Sequence, residues 1–144
     1  MILYHGSPYK FDILKRNQAE TVDGISVPKE ELQNTIYFSP NYEFALAMCS
    51  MPKGLTNVDW DNMTIQTEFP EKCDPYKKAY IYETDSEKVP KEKIEVVDEM
   101  QIAVDLDELN FDSVSETTAG EVLKYYKFLN SENREGVRSE VKLF

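Results

Sequence analysis

The sequence predicts an α+β domain in which strands outnumber helices. Three observations carry that reading. Short β-branched and aromatic runs bounded by turn residues recur along the chain, at 2–5, 35–38, 79–83 and 94–97. Apolar residues at helical spacing follow Ser39-Pro40 and again follow Thr118. The 144 residues are 41% hydrophobic, and a chain of that size buries roughly two-thirds of its surface without needing disulfides or metal. No Gly/Ser linker, repeat or low-complexity tract divides residues 1–144, so one domain is expected.

Taken in order, the strand at 2–5 is stopped by Gly6-Ser7-Pro8. A loop-rich stretch follows, and 28–32 is read as a short helical turn. The next strand is 35–38. Ser39 then reads as a helix N-cap with Pro40 at the first helical position. Phe44, Ala47, Met48 and Met51 recur at helical spacing until Pro52 and Gly54 stop the pattern. Residues 53–76 are turn-rich, with weak strand character over 63–69. Strands are expected at 79–83 and 94–97. Ile102, Val104 and Leu106 alternate with Ala103, Asp105 and Asp107, which predicts a half-buried strand with an acidic outer face. Thr118 and Glu121 have capping-box spacing. Ala119, Val122, Leu123, Tyr126 and Leu129 mark one face of the helix they would begin. Residues 141–144 close the chain as a strand.

Charge narrows the functions open to the chain. It carries 16 basic and 27 acidic side chains, a formal net of −11 and a pI near 4.5. A field of that sign repels phosphate backbones and argues against a nucleic-acid partner. The excess is local. Residues 83–121 hold thirteen acids and three lysines and read as a solvated face. Residues 1–27 are balanced, with Lys10, Lys15 and Arg16 against Asp12, Glu20 and Asp23. One histidine and two cysteines exclude most zinc sites, so no metal is expected. Cys49 and Cys73 lie in unlike surroundings and suggest neither a disulfide framework nor a redox motif. Neither a signal peptide nor an apolar run of membrane-spanning length is present, so a cytoplasmic location and no membrane partner are expected.

Two short motifs remain as candidates for chemistry. His5-Gly6-Ser7 ends the first strand, where an imidazole offers two nitrogens, the glycine admits close approach to the backbone and Ser7 adds a hydroxyl. The bland alternative is a satisfied, half-buried histidine beside a turn. In Ile36-Tyr37-Phe38-Ser39-Pro40, alternation places Ile36 and Phe38 toward a core and offers the Tyr37 ring to a cleft. Its alternative is a surface tyrosine on an aromatic strand.

Together, Leu3-Tyr4-His5-Gly6-Ser7, some thirty residues, and Ile36-Tyr37-Phe38-Ser39-Pro40 leading into Glu43-Phe44-Ala45 resemble the ADP-ribosyltransferase fold. The similarity is to the branch with a His-Tyr-acid triad, which includes the poly(ADP-ribose) polymerases and the small rifampin ADP-ribosyltransferases. It covers about residues 2–50. The resemblance implies a compact mixed, mainly antiparallel split β-sheet with a few flanking helices, and NAD as substrate. It implies that His5 orients a ribose hydroxyl, that Gly6 and Ser7 meet the nicotinamide carboxamide, and that Tyr37 stacks on the nicotinamide. A carboxylate near that ribose would stabilise the cation-like transition state. Glu140 holds the polymerase-like place and is preferred; Glu83, Asp85 or Glu87 hold the rifampin-type place. The polymerases carry a second stacking tyrosine where this chain has Met48, and Tyr42 stands nearby as a substitute. At least one of Lys10, Lys15 and Arg16 is expected to face the NAD pyrophosphate.

The expected activity is therefore mono-ADP-ribosyl transfer from NAD to a protein or small-molecule acceptor that the sequence does not specify. Three alternatives accompany it. One is a catalytically inactive member of the same fold that binds NAD or a protein. Another is an RNA 2′-phosphotransferase, disfavoured by the acidic balance. The last is an acidic interaction protein that docks a basic partner, with His5 and Tyr37 as core residues.

Overall fold

The computed structural model describes residues 1–16, 35–49, 56–67 and 74–130. These form β1 (Ile2–Ser7), β2 (Leu14–Lys15), β3 (Ile36–Phe38), α1 (Tyr42–Cys49), β4 (Thr56–Asp59), β5 (Thr64–Thr67) and β6 (Lys78–Asp85). They continue with β7 (Ile94–Val96), β8 (Ile102–Val104), β9 (Glu108–Leu109), β10 (Ser113–Thr118) and β11 (Lys127–Asn130). Three 3-10 turns lie between them. The architecture is α+β, mixed and mainly antiparallel, with the one parallel pairing of the described residues between β11 and β5. None of the described helices is long and apolar enough to cross a membrane.

Two three-stranded sheets, β10–β6–β1 and β3–β8–β7, frame the region of the sequence motifs. A single backbone bridge joins them, in which Tyr4 and Ser39 exchange N–H→O bonds of 2.8 Å each. The other sheets are β11–β5–β4 and the short pair β2–β9. In the β4–β5 hairpin, Asp59 accepts from the Asn62 backbone and side-chain amides, and Met63 takes a left-handed φ of 55°.

The two faces bury separate clusters. On one side α1 lays Ala45, Leu46, Ala47 and Cys49 against Ala79, Ile81, Val122, Tyr126 and Phe128. On the other, Leu3, Ile36, Phe38, Tyr82, Ile102 and Val104 pack together with Leu14 and Leu109. Strand alternation accounts for the division: Leu3 and His5 face one way, Tyr4 and Gly6 the other. The helix begins at Asn41 rather than Ser39. The Asn41 side chain accepts from Phe44 N–H at 2.8 Å, and the Ser39 hydroxyl accepts from Asn41 N–H at 3.0 Å, so Pro40 precedes the cap.

Two further expectations are corrected, and strands form where none was expected. The stretch after Thr118 is a six-residue 3-10 turn, Ala119–Lys124, followed by strand β11, and Thr118 makes no side-chain cap. Gly120 in that turn disfavours an α-helix, and Phe128 is buried from a strand two residues after Tyr126. Residues 102–104 are buried at every position, because β8 lies between β3 and β7; the acidic side chains begin where the strand ends. The polar run 113–118 forms β10 against β6, and 56–59 forms β4. The readings at 28–32 and 141–144 lie outside the described residues.

Thr84 is fully buried on β6, and its hydroxyl has no hydrogen-bond partner among the described residues. Exchange for the similarly shaped valine removes the cost of desolvating that hydroxyl. Thr84→Val is therefore expected to raise stability by about 1 kcal/mol in chemical denaturation; a loss of that size would show that the hydroxyl is satisfied.

Candidate functional site

The site follows from how β1 and β3 part. At the Tyr4–Ser39 bridge both residues turn their backbone groups toward each other. In antiparallel pairing that orientation repeats every second residue, so Gly6 and Tyr37 also turn their N–H and C=O groups into the space between the strands. The strands stop pairing there. What crosses the gap is a side chain: His5 Nδ1 lies 2.6 Å from the Tyr37 carbonyl oxygen. A carbonyl only accepts, so Nδ1 carries the proton, and in the neutral ring Nε2 is left as an acceptor.

The imidazole is held from behind. Its centroid lies 5.8 Å from that of Phe38 and 5.9 Å from that of Tyr82, which pairs directly with His5 across β1 and β6. Burial among these rings pushes the His5 pKa below its ordinary value, and the Tyr37 carbonyl offsets this only in part. His5 is therefore neutral at pH 7, which keeps Nε2 available to accept a hydrogen bond.

Tyr82 also organises the chain that leaves β1. Its hydroxyl donates to Tyr9 O at 2.9 Å and accepts from Phe11 N–H at 2.6 Å, while Phe11 stacks on its ring. Burial raises the pKa of this phenol, so it remains a donor. Ser7 is buried, and its hydroxyl accepts from Tyr9 N–H at 3.1 Å. The segment next to His5 is thus pinned from both sides. Tyr82 was legible in the sequence only as a strand aromatic; its place behind His5 depends on the β1–β6 register, which residue spacing does not reveal.

Gly6 is required on the opposite side. A Cβ built there would lie 2.0 Å from the Ala45 carbonyl oxygen, so α1 occupies the position where any other residue would carry its side chain. Ile36 and Phe38 are buried, and alternation turns the half-buried Tyr37 to the α1 side. His5 and Tyr37 are therefore joined by the ring-to-carbonyl bond across the gap, but their rings leave from opposite faces, which corrects the expectation that the two side chains line one cleft. Tyr42, in the first turn of α1, packs edge-on against Tyr4 at 5.7 Å.

The charged candidates are distributed unevenly. Arg16 is bound by two acids, with Nη2 3.0 Å from Asp105 and Nε 2.9 Å from Asp107; Lys15 lies 3.9 Å from Glu108. These pairs turn both cations toward the acidic strand ends. Lys10 is exposed on the loop held by Tyr82. Glu83 pairs in register with Tyr4 and so leaves β6 on the face opposite the His5 imidazole, where its side chain accepts from Ser113 at 3.4 Å. Asp85 pairs with Ile2 at the other end of β1, where it caps a 3-10 turn and meets the N-terminal amine at 3.7 Å. Glu87 is exposed beyond it. Among the described residues no carboxylate is bonded to His5, and Glu140 lies outside them. Comparisons with protein families, curated proteins and solved structures returned no match to this chain.

Proposed function

We propose that this protein is a mono-ADP-ribosyltransferase that takes NAD in the gap between β1 and β3. The observation that carries the reading is the state of His5: ring proton on Nδ1 held by Tyr37 O, Nε2 free to accept, and the backbone of Gly6 alongside. A nicotinamide carboxamide is a donor and an acceptor in one plane, the complement of an N–H and a C=O on one strand edge. A ribose hydroxyl is the complement of an imidazole acceptor. Tyr37 contributes its carbonyl, which holds the imidazole in place, and Lys10 is the exposed cation nearest in sequence to receive the pyrophosphate.

In the reaction the bond between ribose C1′ and the nicotinamide nitrogen breaks. Its electron pair leaves with nicotinamide, a nucleophile of the acceptor bonds to C1′, and the acceptor gives up a proton. His5 fixes the ribose and Gly6 the leaving ring, while a carboxylate stabilises the positive charge that develops on the sugar. Glu140 and Glu83 are the two acids proposed for that role.

Nicotinamide release from NAD tests the reading. The wild type is expected to release it, and one of Glu140→Ala and Glu83→Ala is expected to lower the rate by about 100-fold or more, as loss of a charge-stabilising group does. Unchanged rates in both variants would remove both acids from the mechanism. NAD binding without release would favour the inactive, NAD-binding member of the fold.

A further inference from the structure

A different part of the molecule presents a strand edge that no other described strand pairs with. Among the described residues, β7 is the outer strand of the β3–β8–β7 sheet. The bonds from Asp105 N–H to Lys93 O (2.8 Å) and from Val97 N–H to Gln101 O (3.0 Å) fix its phase. Lys93, Glu95 and Val97 turn their backbone groups toward β8, so Ile94 and Val96 turn theirs outward. Ile94 N–H bends back to Lys91 O, which leaves Ile94 O, Val96 N–H and Val96 O along the outer edge. β7 exposes Glu95 and Val96, the latter 68% exposed, and Val97 just beyond it is 50% exposed. Proteins ordinarily blunt such an edge, because it templates the addition of another strand.

Charge says what kind of strand. Asp105, Asp107, Glu108, Asp112, Glu116 and Glu121 each lie within a salt bridge to a lysine or arginine. Glu95, Asp98 and Glu99, which flank the two valines, are in no salt bridge to a described cation, although Glu99 accepts from Trp60 Nε1 and Asp98 from Met100 N–H and the Gln101 amide. Lys91 and Lys93 precede β7, and no lysine or arginine follows from 94 to 112. On the C-terminal side of the edge negative charge therefore predominates, beside the exposed valines and the outward backbone groups. A second copy of this chain would bring a net charge of −11 and the same acids to the edge, and like charges across a strand pair are destabilising.

We infer that the β7 edge binds an extended basic segment of a partner protein, in which lysine or arginine alternates with apolar residues, as an added strand. The inference is independent of the NAD reading. Its test uses a capped peptide of alternating Lys and Val beside its Glu/Val counterpart. In the free protein the Val96 amide is expected to exchange rapidly, and saturating Lys/Val peptide is expected to protect it. Val96→Pro removes the outward donor at an edge position that tolerates proline and should weaken binding by about tenfold, the equivalent of one hydrogen bond. Glu95→Lys, at an exposed side chain, should weaken it by about threefold. Three results would overturn the inference: a Val96 amide already protected in the free protein, equal binding of the Glu/Val peptide, or affinity unchanged by Glu95→Lys.

Discussion

Gly6→Ala is expected to destabilise the protein by about 3 kcal/mol, the upper end of what overpacking costs. The added methyl group would lie 2.0 Å from the carbonyl oxygen of Ala45. That neighbour is helix backbone, so no rotamer change relieves the clash, and α1 or β1 must move. Either movement separates the buried residues of α1 from Ala79 and Ile81 on β6 and from Val122, Tyr126 and Phe128. For a domain of this size such a loss lowers Tm by roughly 10 °C. A melting temperature within a degree of wild type would show that α1 does not pack on β1 in this way. The same variant shifts the strand edge proposed to meet nicotinamide, so any loss of NAD affinity in it must be read against its stability.

Acidification gives the second large effect. The native His5 pKa lies below the ordinary value because burial among Phe38, Tyr82 and the β1–β3 gap penalises the cation. The unfolded chain takes up its proton near pH 6.5, whereas the native state resists until lower pH. The His5 contribution is thus complete above pH 6.5 and is lost as pH falls toward the native value, at up to about 1.4 kcal/mol per pH unit. The many carboxylates respond in the same range, so the readout is a difference. In His5→Gln, whose amide still donates to Tyr37 O, the stability lost on moving from pH 7 to pH 5 should be smaller than in wild type. Equal losses in the two proteins would place the imidazole in water.

Much of the frame was legible because the strands that carry it are apolar or aromatic at the right period. Residues 2–5 and 36–38 each bury one face and show it in their alternation, 79–83 is apolar or aromatic up to Tyr82 because β6 is covered on both faces, and Phe44 and Ala47 mark the buried side of α1. The polar strand β10 was not legible, since Ser113, Ser115 and Glu116 are exposed and its strand character comes from pairing with β6. Val122 and Tyr126 have helical spacing, yet a 3-10 turn and the residues that lead from it into β11 bury them just as well. At the site, the sequence identified His5, Gly6 and Tyr37 as a group but not what links them. A ring nitrogen reaching a carbonyl where two strands part is set by register, as is the place of Tyr82 behind the ring. The commitment of Arg16 to Asp105 and Asp107 joins residues far apart in the chain and leaves no local signal.

The central claim is that His5 Nε2 receives a hydroxyl of NAD beside Gly6. His5 is the sole histidine of the chain, so its imidazole nitrogens give an unambiguous NMR signature. In the free protein at neutral pH the spectrum should show a neutral ring with the proton on Nδ1. Titration with millimolar NAD should shift the Nε2 resonance saturably while the Nδ1 proton is retained. A folded protein whose His5 resonances do not move at saturating NAD, or whose free ring carries its proton on Nε2, would contradict the account.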